Sequence, residues 1–146
     1  MSYQLVSSRV SCAAGGALAN LTAQGGRAVV PDTVLFTGAC LWDGTVTPGT
    51  EATRPLGVIT TAEDAVGGRC SVCVFGHCDG IVGAAGLAAG TNMITADATG
   101  NIVAFGIPAA GVNEWCLGFL DAELGNAAVA AGAKVRIFVN PQLVQG

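Results

Sequence analysis

Gly118-Phe119-Leu120, followed after a stretch of small residues by Gly132-Ala133-Lys134-Val135-Arg136-Ile137-Phe138-Val139, is the passage that decides the fold. From Lys134 onward the side chains alternate. Val135, Ile137 and Val139 fall on one face of an extended chain, and Lys134, Arg136 and Phe138 on the other. The same phrase occurs earlier as Gly57-Val58-Ile59, then Gly67-Gly68-Arg69-Cys70-Ser71-Val72-Cys73-Val74. Read in parallel, the earlier copy turns Cys70, Val72 and Val74 inward and Arg69, Ser71 and Cys73 outward. Phe138 is the odd member of a charged face, which marks it for a second layer or a subunit contact. A repeated strand–turn–strand unit with no catalytic cluster inside it points to a scaffold that makes surface.

Around the repeat, turn signals recur at short intervals. Asp43-Gly44 lies between Leu41-Trp42 and Thr45-Val46 as a two-residue hairpin signature. Thr47-Pro48-Gly49-Thr50 is a second turn. Asp97-Ala98-Thr99-Gly100-Asn101 separates Asn92–Thr95 from Ile102–Phe105 as another hairpin. Helical pattern is thin: Glu63–Val66 and Ala127–Ala131 each suffice for a turn or two, closed by glycine. Gly83-Ala84-Ala85-Gly86 reads as a turn and lacks the Lys-Ser/Thr of a phosphate loop. The fold expected is all-β, a compact β-sandwich or partly closed β-barrel with at most one or two short helical turns. Residues 1–28 are expected to form an extended N-terminal arm and first strand region. Residues 29–146 are expected to form one β domain of two related halves. Gln4–Val10 is the candidate arm, able to lend a strand to a neighbour's sheet edge or to serve as the domain's own first strand.

Composition limits the function classes. Charged residues are 11% of the 146, against roughly 25% in an average domain. Apolar residues reach 51%, and glycine adds another 22 residues. Such a chain covers itself poorly with charge, so either its surface is rich in Thr, Ser, Gly and Ala or a good part of it is covered by partners, the reading favoured here. Its basic residues, Arg9, Arg27, Arg54, Arg69, Lys134 and Arg136, are scattered, so no nucleic-acid stripe is expected. No apolar run is long enough for a membrane helix, and Met1–Arg9 lacks a signal-peptide pattern, so synthesis and use in the cytosol are expected. In that compartment the six cysteines are expected to be thiols that behave as small buried hydrophobes, with later oxidation left open.

Candidate chemistry is sparse. Cys70-x-x-Cys73 with His77-Cys78 has zinc-like spacing, but three residues apart on a strand the two thiols point to opposite faces. His77 is the sole histidine; it shares a face with Asp79, and Cys78 takes the other. Asp32, Asp43, Asp79 and Asp97 lie beside Pro or Gly or in hairpin loops, where Asp has a local backbone role. No pair reads as acid and base. Lys134, the only lysine, begins a strand and is no swinging arm. Neither enzymatic activity nor a metal or cofactor is expected.

With the repeat and hairpins in view, the chain resembles the tailed-phage capsid decoration (cement) proteins. The resemblance spans about residues 29–139. It rests on Pro55-Leu56-Gly57-Val58-Ile59-Thr60-Thr61-Ala62, Gly67–Val72, Ala89–Val103, Gly118-Phe119-Leu120 and Ala131–Ile137. It implies a β-tulip-like fold and a homotrimer on the outer surface of an icosahedral head, assembled in the host cytoplasm. The partner it implies is the major capsid protein, whose adjacent subunits the trimer would clamp; neither nucleic acid nor membrane is a partner. The candidate capsid or subunit contacts are Leu5, Val6, Arg9, Arg69, Arg136 and Phe138. The alternative is a virion head fibre or adhesion module binding host surface glycans, with Trp42 as the only plausible stacking platform.

Overall fold

The computed structural model describes residues 7–13, 24–31, 40–41, 48–50, 53–62, 69–121 and 127–146. The strands are β1 (Ser7–Ala13), β2 (Ala28–Pro31), β3 (Cys40–Leu41), β4 (Gly57–Ala62), β5 (Arg69–Ile81), β6 (Met93–Ala96), β7 (Ile102–Ala104), β8 (Asn113–Leu120) and β9 (Lys134–Gln145). Among the described residues there is no helix, and all neighbouring strands run antiparallel. The sheet order is β3-β2-β4-β5-β9-β8-β6-β7, with β1 also on β5. The far elements then meet. The Ala28 N–H donates to the Gly100 carbonyl (2.7 Å), Gly83 donates to Ile102 (2.8 Å), and Val82 bridges Ile102. The all-β expectation holds, in the form of a nearly closed barrel-shaped sheet.

The repeated phrase is a repeated pairing. In the first copy Val58 faces Cys73 and Ile59 faces Val72; in the second Phe119 faces Phe138 and Leu120 faces Ile137. Position for position, these are the same register. Both copies open on a glycine for one reason. A Cβ on Gly57 would fall on the Cys73 carbonyl, and one on Gly118 on the Phe138 carbonyl. The strands approach too closely there for any side chain.

The two copies differ in which face meets the core. In β9, Val135, Ile137 and Val139 are buried in the core cluster, as the alternation predicts. In β5 the expected phase is overturned. Cys73, placed outward by the parallel, belongs to the core cluster with Val58, whereas Cys70 and Val72 are buried outside it, on the other side of the strand. The register slips where Ser8 faces Phe75 and Arg9 faces Cys73, leaving Val74 as the extra residue of a bulge. One inserted residue swaps the faces of everything after it. Phe75, His77 and Asp79 therefore point outward, while Cys78 is buried in the core.

Connections follow from local chemistry. The Asp97 carboxylate accepts from the Thr99 N–H (2.8 Å), the Thr99 hydroxyl (2.6 Å) and the Asn101 N–H (3.0 Å), which fixes the β6–β7 turn. Pro48 and Gly49 lie in a turn as expected, and just after it the Thr53 N–H donates to the Thr50 carbonyl (3.0 Å). Residues 127–131 make no helical turn: Val129 instead exchanges two backbone hydrogen bonds with Leu87, each 2.8 Å. The Asp43-Gly44 hairpin and the Glu63–Val66 turn lie outside the described residues. Ser7–Val10, the described part of the candidate arm, lie in β1, paired with β5 of the same chain. Pro141 lies two residues beyond Val139, the last β9 residue paired with β5. The β8–β9 register slips at the same place, Cys116 facing Gln142 and Gly118 facing Val139, and a proline is tolerated at such an irregularity.

Candidate interaction face

Outward-facing residues of four strands fall into one cross-strand row. His77 of β5 is opposite Phe138 of β9, Phe138 is opposite Phe119 of β8, and Phe119 is opposite Met93 of β6. The Phe105 N–H donates to the Met93 carbonyl (3.0 Å) and extends the row by one more position. At about 4.8 Å per strand the row spans roughly 19 Å. All five side chains are half-buried. The Phe138 ring meets His77 edge-on at 5.0 Å and Phe75 edge-on at 5.2 Å, and Phe75 is itself 44% exposed. Edge-to-face contacts of this kind contribute about 0.5–1.5 kcal/mol each beyond area burial. They hold the rings in fixed orientation on the surface of the barrel.

Charges flank the row on one side. Arg136 Nε lies 3.8 Å from Asp79 Oδ1, with both side chains well exposed, so the pair adds little to stability and leaves both charges available. Asp121, whose N–H donates to the Arg136 carbonyl (3.2 Å), places Oδ2 at 3.3 Å from His77 Nδ1. That separation is within ion-pair reach, although the ring nitrogen lacks a hydrogen-bond partner of good geometry. His77 and Asp121 together resemble a base and its orienting group, yet the register neighbours of His77 on this face are Phe75, Asp79 and Phe138. None of these is a nucleophile for a base to activate.

The other candidate chemistry is dispersed. Cys73 and Cys78 are buried in the core, and Cys70 is buried on the opposite side of β5 from Cys73. Cys116, also buried, donates its thiol to the Gly118 carbonyl (3.2 Å) and the Ile94 carbonyl (3.5 Å). Burial pushes its pKa above the ordinary thiol value. Among the described residues no three His, Cys, Asp or Glu side chains converge as a metal site would require. Among those residues no helix is long and apolar enough to cross a membrane.

Of the predicted contact residues, Arg136 and Phe138 share this face, on neighbouring outward positions of β9. Arg9 faces Cys73 on β1, and Arg69 starts β5 beside Ala13, which sets both on the β1–β5 pair away from the row. Leu5, Val6 and Trp42 lie outside the described residues. Phe75, His77, Phe119 and Met93 are not among the contacts that the sequence predicts. Phe119 carried a signal, because it precedes Leu120 as Val58 precedes Ile59 and so takes the register position opposite Phe138. No family model matches the chain, and no curated protein matches it.

Proposed function

We propose that this chain is a structural virion protein that binds the outer surface of an icosahedral phage head. It stabilises the shell by clamping adjacent major capsid subunits, acts as a homotrimer and carries out no catalysis. The observation that carries the reading is the outward row of His77, Phe138, Phe119 and Met93 with Phe75 beside it. A rigid aromatic row next to exposed Arg136 and Asp79 has the make-up of a protein contact: ordered rings at the centre, charge at the rim. The low overall charge and the resemblance to the decoration proteins support the same reading. Three modest contacts acting together would bind a shell tightly without any strong single site.

The test is to mix purified protein with heads of its phage that lack it, and to measure co-sedimentation and the mass of the free protein by light scattering. Binding to heads together with a trimeric mass supports the proposal. Phe138→Asp, with β-sheet circular dichroism retained, is expected to weaken binding at least tenfold. A monomer that ignores such heads would sink the idea.

A further inference from the structure

All six cysteines lie on described strands, and one pair stands out by register. Cys12 of β1 is directly opposite Cys70 of β5. The others face different residue types: Cys40 faces Pro31, Cys73 faces Arg9 and Val58, Cys78 faces Ile137, and Cys116 faces Gln142. Directly opposed residues of antiparallel strands have Cα atoms about 4.5–5.5 Å apart and share a face of the sheet. A disulfide needs Cα atoms roughly 4.4–6.8 Å apart. The backbone placement therefore meets the first requirement of a cross-strand bond without moving either strand. Cys70, Cys73, Cys78 and Cys116 are thiols in this structure.

We infer that Cys12 and Cys70 form a redox site, closed as a disulfide when the protein meets a small-molecule disulfide such as oxidised glutathione. In the first step one of the two thiolates attacks the glutathione disulfide, forming a mixed disulfide and releasing one reduced glutathione. In the second the other thiolate attacks the protein-bound sulfur, the Cys12–Cys70 bond forms, and a second reduced glutathione leaves. Two thiol protons are lost to the leaving thiolates, and the two electrons reduce one glutathione disulfide. The bond would tie β1 to β5 near the end of β1, in the redox setting met after release from a reducing cell. It closes the chain between residues 12 and 70, a long loop, and so constrains the unfolded state strongly.

The experiment incubates folded, reduced protein with oxidised glutathione, then counts thiols with a maleimide under denaturing conditions and maps peptides by mass. The expected result is a fall from six thiols to four, with the tryptic peptide starting at Val10 linked to the one starting at Cys70, and with fragmentation of the linked pair placing the bond on Cys70 and not on Cys73, Cys78 or Cys116 of the same peptide. Cys73→Ser keeps the link, and Cys12→Ser and Cys70→Ser each abolish it. The oxidised wild type melts higher than the reduced protein by roughly 5–15 °C, a difference absent from Cys12→Ser. Six thiols after incubation, a stable glutathione adduct with no internal link, or a link between other cysteines would overturn the inference. The peptide map of the wild type decides the matter even if a serine variant fails to fold.

Discussion

Gly57→Ala and Gly118→Ala place the same methyl group at equivalent points of the two repeat copies, and the structure ranks their costs. At both, the new Cβ meets a backbone carbonyl of the partner strand, Cys73 for Gly57 and Phe138 for Gly118. A carbonyl held in a ladder cannot move aside as the end of a flexible side chain can, so the overpacking cost is about 1–3 kcal/mol at each site. Gly118 adds a second cost, because its φ of +155° is a backbone region that L side chains rarely adopt. Holding alanine there costs about 1–3 kcal/mol more. Stiffening of the unfolded chain returns about 0.4–1 kcal/mol in both variants. The net expectation is a loss of about 1–2 kcal/mol for Gly57→Ala and about 2–5 kcal/mol for Gly118→Ala. Against a total stability of about 5–15 kcal/mol, the second variant sits near the limit of folding. Urea unfolding followed by circular dichroism measures both losses, since a change of midpoint at constant slope reports stability directly. A Gly118→Ala protein as stable as wild type, or less damaged than Gly57→Ala, would refute the close approach of β8 and β9.

Further outcomes follow from other sites. Ile137 is fully buried, so Ile137→Ala costs about 2–5 kcal/mol and lowers the melting temperature by roughly 4–20 °C. Cys116 has a raised pKa in the fold, so its contribution is complete below the unfolded thiol value of about 8.5 and is lost as pH rises through the folded value. Urea midpoints should therefore fall above about pH 8.5, and Cys116→Ala should flatten part of that slope. Arg54, exposed, sets its guanidinium 5.3 Å from the Trp115 ring centroid, so Arg54→Ala loses about 0.5–1 kcal/mol and changes indole emission.

What the sequence revealed depended on how local each signal was. The β9 alternation, the Asp97–Asn101 hairpin and the Pro48 turn rest on neighbours within a few residues, and each folds as read. The phase of β5 was hidden. Cys70, Val72, Cys73 and Val74 are all small and apolar, so either face of that stretch looks fit for a core, and nothing in it marks Val74 as the extra residue. Burial on both sides of β5 removed the polar positions that would have set the phase. The aromatic row was invisible for another reason. Its members lie at residues 77, 93, 119 and 138, and only the register of four strands brings them into line. Phe138 and Arg136 were legible as a face because they share one strand; their neighbours belong to other parts of the chain.

The position of β9 bears on synthesis. It comes last in sequence of the nine described strands, yet it lies between β5 and β8 in the sheet. Until Lys134–Gln145 leave the ribosome, β5 and β8 lack the neighbour that joins them, and Val135, Ile137 and Val139 are missing from the core. A nascent chain therefore holds two sheet fragments with an open seam, and its apolar strands wait on the final insertion. Barrel formation waits on β9, and a chain cut short before Lys134 exposes the edges that invite association with its neighbours.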